Sequence, residues 1–258
     1  MCVKEERNTD MLFDSHAHLD DERFNGDRDE VLRAMPDAGV GLIMNVGADL
    51  PSSRRSIVLA KRYPFVYAAV GVHPHEVEDM AEQDLIELEE LSAQEKVLAI
   101  GEIGLDYYYD NAPRDKQRYW FERQIKLAQR LELPIIIHCR DAIQDCIQIL
   151  RRYDFTKTSG VMHCFSGSAQ TAAELIEMGF YIAFGGAITF RNNKKAPQVV
   201  QSVPMERLLI ETDCPYMTPE PYRGKRNDSR YVKLVAEKIA EWKELPVQNA
   251  KYLFQING

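Results

Sequence analysis

The sequence predicts an α/β fold, a parallel (β/α)8 TIM barrel, on three observations. Eight short apolar, β-branched runs recur along the chain, and each is followed by a longer stretch with helical periodicity. The runs are apolar throughout rather than alternating, as strands buried on both faces must be. Eight such units in 258 residues is the usual size of this barrel. An open doubly wound sheet is the competing arrangement, because it uses the same strand-helix grammar.

Taken in order, residues 11–13 form the first strand, and Val31, Met35 and Ala38 mark the helical face that follows. Residues 40–46, 65–70 and 97–100 are the next three strands. Trp120, Ile125, Leu127 and Leu131 then trace the apolar stripe of a long helix, and residues 135–137 are the fifth strand. Residues 160–162, 181–183 and 208–210 complete the set, with Val232, Val235, Ile239 and Trp242 on the last helix. No Pro/Gly/Ser-rich linker or low-complexity stretch interrupts the series. The reading is one domain over residues 1–258, with residues 1–10 an N-terminal extension.

With 32 basic against 40 acidic side chains the net charge is −8, so a protein that coats nucleic acid through a broad basic surface is excluded. A polyanionic substrate would need positive charge supplied locally. The five cysteines form no C-x-x-C pair, which argues against a disulfide framework and a thiolate zinc site and fits a reducing cytoplasm. The charged N-terminal stretch is not a signal peptide and no eighteen-residue apolar run occurs, so neither export nor a membrane span is expected.

All six histidines fall at or just beyond the predicted C-terminal ends of strands: His16, His18, His73, His75, His138 and His163. In a barrel those ends meet at one rim, where active sites are built. An isolated H-x-H is more often a hydrogen-bonded pair than a ligand pair. Here, however, a period of two puts His16 and His18 on one face, and His138, His163 and Asp213 end other strands at the same level. Glu102, between Gly101 and Ile103, brings a carboxylate to this rim. In isolation it reads as a solvated loop residue or a partner for Arg140. Four histidines and two carboxylates together can hold two divalent ions about 3.5–4 Å apart with one carboxylate bridging.

Strand parity places Glu211 on the face of Asp213, one layer deeper, supporting the ligands from behind. Alone, Asp213 could equally cap the turn before Pro215. Cys139, Cys164 and Cys214 each follow a proposed ligand, so parity turns them towards the helices and away from any metal. His73 is a candidate for substrate contact, and His75 for a capping or solvent role. Arg223, Lys225 and Arg226, in a loop beyond the eighth strand, are candidates for phosphate binding, although a run of this size is usually plain solvated surface. The cluster Arg191-Asn192-Asn193-Lys194-Lys195 is a second such group.

These residues resemble a known family. Leu12-Phe13-Asp14-Ser15-His16-Ala17-His18-Leu19-Asp20, Gly71-Val72-His73-Pro74-His75, Gly101-Glu102-Ile103-Gly104-Leu105-Asp106-Tyr107, Pro134-Ile135-Ile136-Ile137-His138-Cys139-Arg140, His163-Cys164-Phe165-Ser166-Gly167, Glu211-Thr212-Asp213-Cys214-Pro215-Tyr216 and Pro221-Tyr222-Arg223-Gly224-Lys225-Arg226-Asn227 are similar to blocks of the TatD family of metal-dependent deoxyribonucleases. The resemblance spans nearly the whole chain after the first ten residues. It implies a (β/α)8 barrel with His16, His18, Glu102, His138, His163 and Asp213 as ligands of two divalent ions, Mg²⁺, Mn²⁺ or Zn²⁺. Glu102 would bridge, His16 and His18 would complete one ion, and His138 and His163 the other.

The activity so implied is hydrolysis of DNA phosphodiester bonds by metal-activated water, as a 3′-5′ exonuclease, with Asp213 accepting the water's proton. Short or single-stranded DNA ends would be the partner, with no membrane and no obligate protein partner. The rival reading is a metal-dependent amidohydrolase or deacylase acting on a small molecule or an aminoacyl-tRNA, which would use the same ligands. A barrel that only binds would lack a ligand, and none is missing.

Overall fold

The computed structural model describes residues 11–245; the N-terminal extension expected at residues 1–10 lies outside them. All eight apolar runs are strands: β1 (Leu12–Ala17), β2 (Val40–Val46), β3 (Val66–Val70), β4 (Val97–Asp106), β5 (Ile135–Arg140), β6 (Gly160–Met162), β7 (Phe180–Phe184) and β8 (Leu208–Ile210). Each pairs in parallel with the next, in the order β1 to β8. The continuous apolar composition is explained by burial on both faces, as in β7, where Phe180, Ile182, Ala183 and Phe184 are all within 1% of complete burial.

Closure decides against the open sheet. Ala17 bridges in parallel to Cys214, just past β8, the Asp213 N–H donates to the His16 carbonyl (2.9 Å) and the His18 N–H to the Cys214 carbonyl (2.8 Å). This is the (β/α)8 TIM barrel. Asp14 reinforces the seam: its buried carboxylate accepts from the Thr212 N–H (2.8 Å) and the Thr212 hydroxyl (2.6 Å).

Among the described residues eight α-helices follow the strands: α1 (Arg28–Arg33), α2 (Leu50–Arg62), α3 (Glu82–Ser92), α4 (Arg114–Leu131), α5 (Ile143–Leu150), α6 (Ala169–Glu177), α7 (Ala196–Ser202) and α8 (Val232–Trp242). Helix α4 shows how the outer layer positions the rim. Its buried face carries Trp120, Phe121, Ile125 and Ala128 at helical spacing, but also Gln117 and Gln124. Gln124 bonds both backbone groups of Val72 (2.8 and 3.0 Å), and Gln117 bonds both backbone groups of Asp106 (2.8 and 3.1 Å). Two glutamines thus take the place of ladder partners and fix the strand ends that carry His73 and Asp106.

Three strands run further than their apolar residues predict. β1, β4 and β5 continue into polar sequence because pairing persists, β4 with β5 as far as Asp106 opposite Arg140. His16, Glu102 and His138 therefore lie within strands rather than beyond them. The close strand approach requires glycine. At Gly104, with φ +144°, a Cβ would stand 1.9 Å from the His138 carbonyl oxygen. The glycine there admits neighbouring backbone.

Candidate metal centre

The centre grows from β1. His16 is fully buried, and its Nε2 stands 3.1 Å from Nε2 of His18. His18 Nδ1 lies 2.8 Å from the Val46 carbonyl. A carbonyl can only accept, so His18 holds its hydrogen on Nδ1 and in its neutral form turns a lone pair inward at Nε2. The expected shared face of His16 and His18 is present.

Glu102 is the hub. Its Oε1 is 3.0 Å from His138 Nδ1, 3.3 Å from His163 Nε2 and 3.7 Å from His73 Nε2; its Oε2 is 3.4 Å from His16 Nε2 and 3.6 Å from His18 Nε2. Asp213 Oδ1 is 3.6 Å from His18 Nε2. Three sets of ligand atoms converge: His16, His18 and Asp213; His16, Glu102 and His163; and His73, Glu102 and His138. The six proposed ligands therefore come together, and His73, expected only near substrate, joins them. Glu211 lies behind His163, fully buried, with Oε1 3.0 Å from His163 Nδ1 and accepting from the Cys164 N–H (2.6 Å), although the chain has left β8 at Ile210 and strand parity does not carry it there.

The donor set fits divalent metal. Ligand bonds of about 2.1 Å place the corners of a coordination polyhedron about 3.0 Å apart if octahedral and about 3.4 Å apart if tetrahedral, the spacing of the inward-facing atoms here. Neutral imidazole nitrogens and carboxylate oxygens suit Zn²⁺, Mn²⁺ and other divalent ions.

Charge is arranged for the same purpose. Burial alone would raise Glu102, but His163, His16, His73 and the hydrogen bond from His138 hold it well below the usual carboxylate range. Burial would lower His138, yet hydrogen bonds to Asp106 and Glu102 lift it to about 10. His18 and His163 likewise rise to about 9 against their own burial, through Asp213 and Glu102 for the first and Glu211 and Glu102 for the second. His16 and His73 are lowered by burial and by the neighbouring imidazoles. Without metal, three imidazolium protons are the positive charge that holds the carboxylates together.

Asp106 is the residue that sequence reasoning missed. It is fully buried, and its Oδ2 lies 2.9 Å from both His138 Nε2 and His75 Nε2, while Oδ1 accepts from the Tyr108 and Tyr109 N–H groups (3.0 and 2.9 Å). His75 is thus neither a cap nor a solvent residue; it pairs with a buried carboxylate. The aspartate falls four residues after Glu102, an even step along β4, and strand parity is the one sequence signal that could have found it.

The cation clusters are placed differently from the histidines. Arg226 pairs with Asp27 through two bonds of 2.8 and 2.6 Å, Arg223 lies over the Phe190 ring at 4.2 Å, and Lys225 over Tyr222 at 5.4 Å. None of them lines the cleft above the centre, nor do Arg191, Lys194 and Lys195. That cleft, of about 910 Å³, has Arg55 and Arg140 as its cations, with Tyr109 and Tyr216 at its edge. Arg140 is not the partner of Glu102; it stacks on Tyr108 and Tyr109. No cysteine joins a ligand set among the described residues. Cys214 lies 4.0 Å from the Ser229 hydroxyl, on the helix side, whereas Cys164 has φ +46° and has left the strand that parity assumes.

Known proteins agree with this architecture. The family described as TatD related DNase matches residues 13–257. A Bacillus subtilis protein named as the uncharacterized metal-dependent hydrolase YabD is 50% identical, covering 96% of this chain and all of its own length. The 3′-5′ ssDNA/RNA exonuclease TatD of Salmonella typhimurium is 32% identical over 95% of this chain and 99% of its own. The crystal structure of YjjV, a TatD homologue from Escherichia coli K12, superposes with a TM-score of 0.89 at 32% identity, covering 95% of each chain. Among residues 11–245 no helix is long and apolar enough to cross a membrane. A match that runs almost from end to end, over a barrel whose rim gathers a metal-ligand set, establishes that this chain belongs to the TatD family of metal-dependent hydrolases.

Proposed function

We propose that this hydrolase is a deoxyribonuclease that removes nucleotides from the 3′ end of a DNA strand. The observation that carries the reading is the convergence of Glu102, Asp213 and the imidazoles in a cleft of about 910 Å³ whose largely acidic lining also includes Tyr109, Tyr216 and Arg140, groups that can meet a base and a phosphate. The name of the Salmonella relative supports the same reaction.

His16, His18 and Asp213 would hold one divalent ion, His73 and His138 would lie at a second, and Glu102 would reach both, with His163 beside Glu102 and His16. Two such ions, Mg²⁺, Mn²⁺ or Zn²⁺, would neutralise the phosphodiester anion and bring the pKa of a water towards neutrality. Asp213 accepts the proton of the attacking water. Burial would raise its pKa, but the hydrogen bond with His18 holds it below the usual carboxylate range. Glu211 and Asp106 hold His163 and His138 from behind. Arg223 and Lys225 would meet phosphates lying beyond the cleft, while Arg226 would have to leave Asp27 to do so.

A time course on end-labelled single- and double-stranded DNA and on RNA, with each metal in turn, tests the reading; model amides and esters form the comparison arm. Stepwise loss of 3′ nucleotides is expected. Asp213→Ala and Glu102→Ala should abolish hydrolysis in protein that circular dichroism shows to be folded. Acyl release without nucleotide release would replace this reading with the deacylase.

A further inference from the structure

We infer that two tyrosine-arginine stacks on opposite sides of the barrel mouth grip the bases of a single strand across the metal centre, and that this grip selects single-stranded ends. The inference rests on the nuclease reading above and turns on tyrosines that sequence patterns did not single out. In a closed barrel of eight strands in sequential order, the loops after β4 and β8 are four strands apart and so face each other across the rim. The first carries Tyr108 and Tyr109, and the second carries Tyr216.

Each side of the mouth overlooks the centre. The Tyr109 ring meets His75 edge-on at 5.4 Å, and the Tyr216 ring meets His18 edge-on at 6.3 Å. Each is backed by a guanidinium: Arg140 lies 4.1 Å from the Tyr108 ring and 4.8 Å from that of Tyr109, and Arg23 lies 4.2 Å from that of Tyr216. Tyr109 and Tyr216 remain 55% and 47% exposed, so each leaves ring surface open to a base. Arg140 makes no ion pair with a carboxylate among the described residues, so its charge is free for a phosphate. Arg23 is neutralised by Asp21 (2.9 Å) and serves to support its ring.

An aromatic face stacks on any base, so such a pair binds without regard to sequence. The base must first be unpaired, because a base inside a duplex has both faces covered by its neighbours. The two stacks would therefore bracket the scissile phosphate, one base on Tyr109 and one on Tyr216, with Arg140 on the phosphate between the cleft and the incoming strand.

The test uses full-length protein with hydrolysis-resistant phosphorothioate oligonucleotides of thymidine, fluorescein-labelled at the 5′ end, and matched oligonucleotides whose two 3′-terminal bases are replaced by abasic sites. Wild-type protein should bind the abasic strand about 5- to 150-fold more weakly for each base removed. Tyr109→Ala and Tyr216→Ala should each weaken binding of the normal strand by a similar factor and reduce the abasic discrimination, whereas Tyr109→Phe and Tyr216→Phe should retain both. Arg140→Gln should lower the dependence of binding on salt by about one ion. Metal content and thermal unfolding of each variant confirm that the centre is intact. If wild-type protein binds and cleaves DNA but treats normal and abasic ends alike, the grip is refuted while the nuclease reading stands. If it neither binds nor cleaves DNA, both fall.

Discussion

Replacing Asp106 by asparagine isolates its effect on the metal centre, because the change keeps the shape and removes the charge. Asp106 Oδ2 receives hydrogen bonds from His138 Nε2 and His75 Nε2 at 2.9 Å each. A carboxylate there obliges His138 to carry its hydrogen on Nε2 and leaves Nδ1, 3.0 Å from Glu102, as the inward donor. In Asp106→Asn the amide oxygen can still accept from the Tyr108 and Tyr109 N–H groups, which turns the NH₂ towards both imidazoles. His138 must then accept at Nε2 and protonate Nδ1, the wrong tautomer for a ligand. Removing such a support weakens metal binding by about 10- to 100-fold, or about 1.4–2.7 kcal/mol. The assay is competition for Zn²⁺ or Mn²⁺ between chelator-stripped protein and a metallochromic indicator, alongside circular dichroism to show that the barrel is intact. Metal affinity within twofold of wild type in a folded variant would refute this account of Asp106.

Metal uptake should release protons. His18, His138 and His163 are raised to about 9, 10 and 9, so they are protonated at neutral pH in the metal-free protein and must give up their protons to bind. The sign follows: affinity rises with pH from 6 to 8, with up to about three protons released when both ions enter, which titration calorimetry in two buffers of different ionisation enthalpy measures. Gly104→Ala should prevent folding or cost about 4 kcal/mol or more, since the added carbon meets the His138 carbonyl at 1.9 Å; soluble yield and thermal unfolding report it. Arg226→Ala should change affinity for a thymidine oligonucleotide less than Arg140→Gln does, because Asp27 already holds the Arg226 charge; fluorescence anisotropy at matched salt decides.

What was legible in the sequence follows from how far each signal reaches. Strands buried on both faces leave uninterrupted apolar runs, and all eight could be read without knowing their neighbours. Histidines are scarce, so six of them at strand ends point to a rim whatever the details. Asp106 could not be read this way, because its role exists only once His75 and His138 arrive from different strands at the same oxygen. Arg226 meets the same limit. Arg226 reads as a free positive charge until Asp27, 199 positions away, is placed beside it. Parity, finally, holds only while the chain remains extended, and Cys164 and Asp213, at φ +46° and +55°, have already turned out of the strand.

The seam between β1 and β8 would tie barrel closure to an ion bound at the centre. β8 has only three residues, and the join is made beyond it by the Ala17–Cys214 bridge and by Asp14 on Thr212, 198 positions apart. His16 and His18 lie on one side of this seam and Asp213 on the other. An ion shared by them would clasp the hoop at its weakest point, and at a hundred times its Kd would add about 2.7 kcal/mol to the closed form. An unclasped barrel is an open sheet with two unpaired strand edges, a shape prone to edge-to-edge association. Scarcity of metal would therefore remove molecules by aggregation as well as leave the survivors inactive.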